Sequence, residues 1–92
     1  MCTFFANEIA TIEFVPRSLR YLNLSSNRIA VISGLVHLKN LLVLNLNDNE
    51  IHKIEGLDNL LSLQELYLAD NYLRRVENLE FQQQLEWYLE IF

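Results

Sequence analysis

Leu19, Leu41 and Leu63 each open the same eleven-residue phrase, and the three phrases start 22 residues apart. They read Leu-Arg-Tyr-Leu-Asn-Leu-Ser-Ser-Asn-Arg-Ile, Leu-Leu-Val-Leu-Asn-Leu-Asn-Asp-Asn-Glu-Ile and Leu-Gln-Glu-Leu-Tyr-Leu-Ala-Asp-Asn-Tyr-Leu. A chain with this self-similarity cannot fold as an ordinary globule with one unique core. Each copy must be one supersecondary unit that buries its apolar face against the next. Two periodicities alternate inside each copy. Leu22 and Leu24 flank Asn23 with the period of a strand. Beyond each asparagine the step becomes three, through Ile29, Ile32, Leu35, Leu38 and Leu41, and again through Ile51, Ile54, Leu57, Leu60 and Leu63. A step of three suits 3₁₀ turns, whose side chains eclipse at i and i+3. Short 3₁₀ or single-turn helical pieces are expected there, with Gly34 and Gly56 at sharp corners.

The skeleton L-x-x-L-x-L-x-x-N-x-[IL], continued as x-x-I-x-x-L-x-x-L-x-x, resembles the 22-residue class of leucine-rich repeat. That class is typified by the nuclear regulatory subunit of protein phosphatase 1 and is shared by an axonemal dynein light chain and the spliceosomal A-prime protein. The resemblance is close over residues 7–79. It implies an α/β solenoid: a short curved right-handed coil with a parallel β-sheet on the concave face and turn-rich or 3₁₀ convex arcs. The expected layout is one domain over residues 1–92. Residues 1–18 form a partial repeat, 19–40, 41–62 and 63–84 full repeats, and 85–92 a partial repeat or cap.

Both ends depart from the pattern. Asn7-Glu8-Ile9-Ala10-Thr11-Ile12 matches Asn27 to Ile32, so Cys2-Thr3-Phe4 falls where a first strand belongs. The arc that follows, with Pro16 off the strand, is two residues shorter than the later ones. At the other end two readings stand. With one extra residue in the register, Leu85, Trp87, Leu89 and Ile91 alternate with Glu86, Tyr88, Glu90 and Phe92 as a closing strand. Alternatively Phe81, Leu85, Tyr88, Leu89 and Phe92 form the stripe of a capping helix. The unbroken alternation favours the strand.

Family members bind other proteins through the concave sheet and are not enzymes through this module. Carried over by position, the partner-binding residues are Tyr21, Asn23 and Ser25, then Val43, Asn45 and Asn47, then Glu65, Tyr67 and Ala69. Tyr21 and Tyr67 are the expected anchors, since tyrosine offers large contact area and a polar tip. Asn7, Asn27, Asn49 and Asn71 form a column expected to turn inward and satisfy backbone groups of neighbouring coils. Asp48 and Asp70 read as turn formers.

Composition narrows the function. A net charge of −5 gives no basic nucleic-acid footprint, and no apolar run reaches membrane-spanning length. Cys2 is the only cysteine, which excludes an internal disulfide and fits a reducing compartment. Residues 1–16 carry Glu8 and Glu13 and lack a basic start, so no signal peptide is expected. The sequon Asn23-Leu24-Ser25 falls in a strand. His37 and His52, the only histidines, fall on different arcs, so no metal site is expected. The run Asn47 to Glu50 lacks calcium-loop spacing. No nucleophile–base pair or phosphate-cradling glycine loop is present, and Arg74-Arg75 reads as a solvated patch.

The expectation is therefore an intracellular protein–protein interaction module without a cofactor. It would serve as an adaptor or targeting subunit, cytoplasmic rather than nuclear, with a cytoskeletal or ciliary setting. The alternative is a structural segment of a longer repeat array, or end-to-end association through Phe4, Phe5, Trp87 and Phe92. A third reading is a ribonucleoprotein component that meets RNA only through a partner protein.

Overall fold

The structure is a computed structural model and describes residues 2–3, 17–78 and 88–90. Five short strands appear in chain order: β1 (Cys2–Thr3), β2 (Tyr21–Asn23), β3 (Val43–Asn45), β4 (Glu65–Tyr67) and β5 (Tyr88–Glu90). They lie side by side in that same order in one sheet, and every neighbouring pair is parallel. Consecutive parallel strands with no exchange of order mean that each repeat is one turn of a solenoid, stacked on the repeat before it.

Register follows the repeat. Leu22 pairs with Leu44 and Leu44 with Leu66, a step of one full period. Cys2 pairs with Leu22, two residues short of the period, as the shorter first arc requires. Leu66 pairs with Leu89, one residue beyond the period. The last strand is thus the one-residue slip that keeps a leucine in the leucine row, since a strand slipped by one place exchanges its two faces. The half-repeat Asn7–Ile12, Phe4, Phe5, Pro16, Phe81, Leu85, Trp87, Ile91 and Phe92 lie outside the described residues.

The core is the leucine and isoleucine set that the two periods pick out. Leu22, Leu24, Leu44, Leu46, Leu66 and Leu68 are buried from the strands. Ile29, Ile32, Leu35, Leu38 and Leu41 are buried from the first full arc, and Ile51, Ile54, Leu57, Leu60 and Leu63 from the second. Each such side chain stabilises the stack by about 1.5–3 kcal/mol relative to exposure.

The arcs correct one expectation. Among the described residues there is no helix, 3₁₀ or α, so the helical half of the expected α/β class is absent. The arcs are chains of single turns. Leu38 N–H donates to Leu35 O at 3.0 Å and Leu41 N–H to Leu38 O at 3.2 Å; Leu60 to Leu57 and Leu63 to Leu60 repeat both values. One bond every third residue gives the same side-chain step as 3₁₀ structure without its continuous ladder. Gly34 and Gly56 stand just before these turns with φ of 75° and 74°, a conformation that penalises any side chain with a Cβ. At Gly56 a Cβ would also overlap the carbonyl oxygen of Ile32 on the preceding coil. Asn78 takes the same place on the third arc with φ 59°, asparagine being a residue that tolerates this region. Its Nδ2 donates to Ile54 O at 2.6 Å.

The bend after each strand is built from two adjacent residues. Ser26, Asp48 and Asp70 all have φ of 57–58°, so the aspartates are turn residues as expected. The asparagine that follows is the staple. Asn49 Nδ2 donates to Leu46 O at 3.1 Å, to Asn47 O at 3.1 Å and to Leu24 O of the preceding coil at 3.0 Å. Its Oδ1 accepts from Ile29 N–H at 3.0 Å. Asn71 repeats all four bonds one coil later, with Leu46 O at 2.9 Å and Ile51 N–H at 3.0 Å across the joint. Asn27 makes the contacts within its own coil, to Leu24 O and Ser25 O.

Candidate functional site

The strands show one face to the core and the other to solvent, and strand register sorts the outer residues into rows. Tyr21, Val43 and Glu65 form one row, and Tyr88 pairs with Glu65 to extend it. Asn23, Asn45 and Tyr67 form the next, extended by Glu90. Ser25, Asn47 and Ala69 follow one pleat further along. Parallel stacking in register therefore aligns the nine sequence-derived positions in three rows across the strands.

They are not alike. Tyr21 is the most open, with 42% of its surface accessible. Val43, Glu65 and Tyr67 are half-buried against their neighbours. Tyr67 Oη donates to Glu65 Oε1 at 2.6 Å along the same strand, so the phenol and the only outer carboxylate of strands β2–β4 form one unit. Tyr21 and Tyr67 sit in different rows with β3 between them.

The asparagines and Ser25 face outward in register but spend their oxygens on the chain. Asn23 Oδ1 accepts from Ser25 N–H at 3.0 Å and from Ser25 Oγ at 2.7 Å. Asn45 Oδ1 accepts from Asn47 N–H at 3.0 Å. The third coil has Tyr67 where an asparagine would stand, and its Ala69 N–H is accepted instead by Asn47 Oδ1, at 2.7 Å, from the coil before. These carboxamides close the strand ends, a local competition of side chain with backbone typical of Asn and Ser. Ala69 corrects the expectation of an open contact: it is only 6% exposed, at a bend where Asn47 accepts from its N–H and Asn71 donates to its carbonyl.

Tyr88 and Glu90 were not among the expected contact residues; strand register pairs them with Glu65 and Tyr67.

Elsewhere, no group of three His, Cys, Asp or Glu among the described residues converges as a metal site would require. His52 stacks on Tyr72, centroids 5.2 Å apart and planes at 30°. Among the described residues no helix is long and apolar enough to cross a membrane.

The family described as Leucine Rich repeats (2 copies) matches residues 17–59 and 39–81. The two matches are offset by one period, and together they span more than half of the 92 residues. No curated protein matches the chain. Leucine-rich repeats generally mediate protein–protein interaction and are typically not enzymes. With the repeat phrase, the stacked parallel strands and the asparagine-stapled bends all in register, the chain belongs to the leucine-rich-repeat family.

Proposed function

We propose that this protein is an intracellular interaction module that captures a partner protein on the concave, outer face of its sheet, as an adaptor or targeting subunit of the kind the phosphatase-regulatory and axonemal members represent. The observation that carries this reading is the exposure of Tyr21 in one row with Val43 and Glu65. Tyrosine is among the residue types most enriched as interface anchors, and its neighbours contribute chiefly by excluding water around it. Tyr21 and Tyr67 anchor the partner, Val43 and Glu65 lie between and beside them, and Asn23, Ser25, Asn45 and Asn47 shape the surface while offering less of their own polarity. The single cysteine is consistent with a reducing, cytoplasmic setting. The test is affinity capture from lysate with wild type against Tyr21→Ala/Tyr67→Ala, folding being checked by circular dichroism. Loss of a partner in the folded double variant is expected. An unchanged partner list would refute the reading.

A second reading, a segment of a longer array or a self-associating end, is favoured by Val76. It is 54% exposed, whereas Ile32 and Ile54 at the equivalent positions are 2% and 0% exposed. The third coil therefore shows solvent an apolar position that the earlier coils cover. Sedimentation over a range of concentrations discriminates: association that Val76→Lys abolishes supports this reading, and a monomer throughout removes self-association.

A further inference from the structure

In a chain of net charge −5, three of the seven Lys and Arg residues line one cleft on the joint between the second and third coils, together with His52. The repeat explains the clustering. Lys53 and Arg75 hold equivalent positions on adjacent coils, as do His52 and Arg74, so stacking sets all four side by side. The repeat does not demand cations there, because the first coil has Ala30 and Val31 at the same two places. The only carboxylate in the lining is Glu77, which pairs with Arg75 at 3.4 Å. Glu50, two residues before His52, pairs with Arg28 at 3.6 Å, and Glu55, two residues after Lys53, lies outside the lining. Among the described residues Lys53 and Arg74 have no carboxylate partner. Cations lining one cleft repel one another, and a bound anion offsets that cost. His52 is fixed at the wall by its stack on Tyr72. The cleft measures about 240 Å³, room for one small oxyanion and less than a whole cofactor takes.

We propose that this cleft binds a phosphate dianion, with the Arg74 guanidinium and the Lys53 ammonium donating to its oxygens and the His52 imidazole N–H adding a third donor. Arginine supplies the planar fork and lysine the point charge that phosphate recognition uses. Glu77 occupies Arg75 and limits the site's positive charge. The phosphate comes either free in solution or on a phosphorylated side chain of a protein. The site lies off the sheet, so it operates independently of the tyrosine-bearing face.

The test is an NMR titration of the whole chain with inorganic phosphate, and separately with a short phosphoserine peptide, at ionic strength held constant with sodium chloride. Saturable shifts confined to His52, Lys53, Arg74, Arg75 and their neighbours are expected. Tighter binding of the peptide assigns the site to phosphorylated proteins; equal or tighter binding of inorganic phosphate assigns it to the free ion. Lys53→Ala/Arg74→Ala, at exposed positions, is expected to keep the circular dichroism spectrum and weaken binding about tenfold or more, the effect of losing a charge-assisted hydrogen bond. Glu77→Gln should retain or tighten it. Shifts that do not saturate, binding that survives in the double variant, or a single-stranded oligonucleotide that binds this cleft more tightly than either phosphate probe would each overturn the proposal.

Discussion

The second and third coils share the repeat skeleton and meet different fates. In the second, Ile51, Ile54, Leu57 and Leu60 are sealed, and Gly56 lets its arc press onto the carbonyl of Ile32. In the third, Leu73 sits at the margin of burial, Val76 is open, and Asn78 replaces the glycine. A Cβ fits at Asn78, and the Asn78 amide reaches Ile54 O, so this corner stands off its neighbour by the thickness of a carboxamide. The difference teaches that in a stacked fold a residue's worth is set by whether another coil lies over it, and only secondarily by its identity.

Substitutions at matched positions can break that comparison. The largest effect is expected at the glycine corner. Gly56→Ala adds a left-handed backbone penalty to a clash with backbone on the preceding coil, together about 3–5 kcal/mol, close to loss of the fold. Asn78→Gly should cost no more than about 1–1.5 kcal/mol, the value of one hydrogen bond. Urea midpoints measure both, and equal effects would mean that the two corners are packed alike. Next comes the apolar pair. Ile54→Ala should cost about 2–5 kcal/mol by leaving a cavity, and Val76→Ala about 0.5 kcal/mol or less. The staples sharpen the contrast further. Asn49→Ala strands Ile29 N–H and its share of the carbonyls that the amide serves, at about 2–3 kcal/mol. Asn71→Ala should cost less, since Asn71 is half-buried and water can reach the vacated groups. Hydrogen exchange at Ile29 and Ile51 N–H reads the two cases directly. The smallest effect is expected at the joint between the first two coils, where Arg28→Ala should shift stability by about 0.5 kcal/mol or less, because both partners of its ion pair are exposed. A larger cost there would show that surface charge, and not the core, binds the coils.

Much of this fold is legible in the residues because its two periods are simple. The buried leucines and the asparagine column follow from spacing, and the slipped register of β5 is one of the two readings that spacing left open, the strand rather than the capping helix. The arcs were misjudged for a definite reason: a step of three fits both 3₁₀ structure and isolated turns, and only hydrogen bonding distinguishes them. The outer face was legible as a surface and less so as a set of contacts. Period two sends Asn23, Asn45 and Asn47 outward, but it says nothing of where a carboxamide oxygen then bonds. Gly34 and Gly56 were legible as equivalent corners; Asn78 was not, because asparagine declares itself a stand-in for glycine in the left-handed region only once its φ is known.

The asparagine staples have a mechanical corollary. Asn49 and Asn71 each grip the coil behind, and the strands are joined by bonds that run along the stacking direction. Tension along that direction loads these rungs in series, so the weakest yields alone, and the molecule should peel coil by coil at low force. Shear along the strands would load a whole rung set at once and meet far greater resistance. A protein built this way is a soft spring in one direction and a stiff plate in the other.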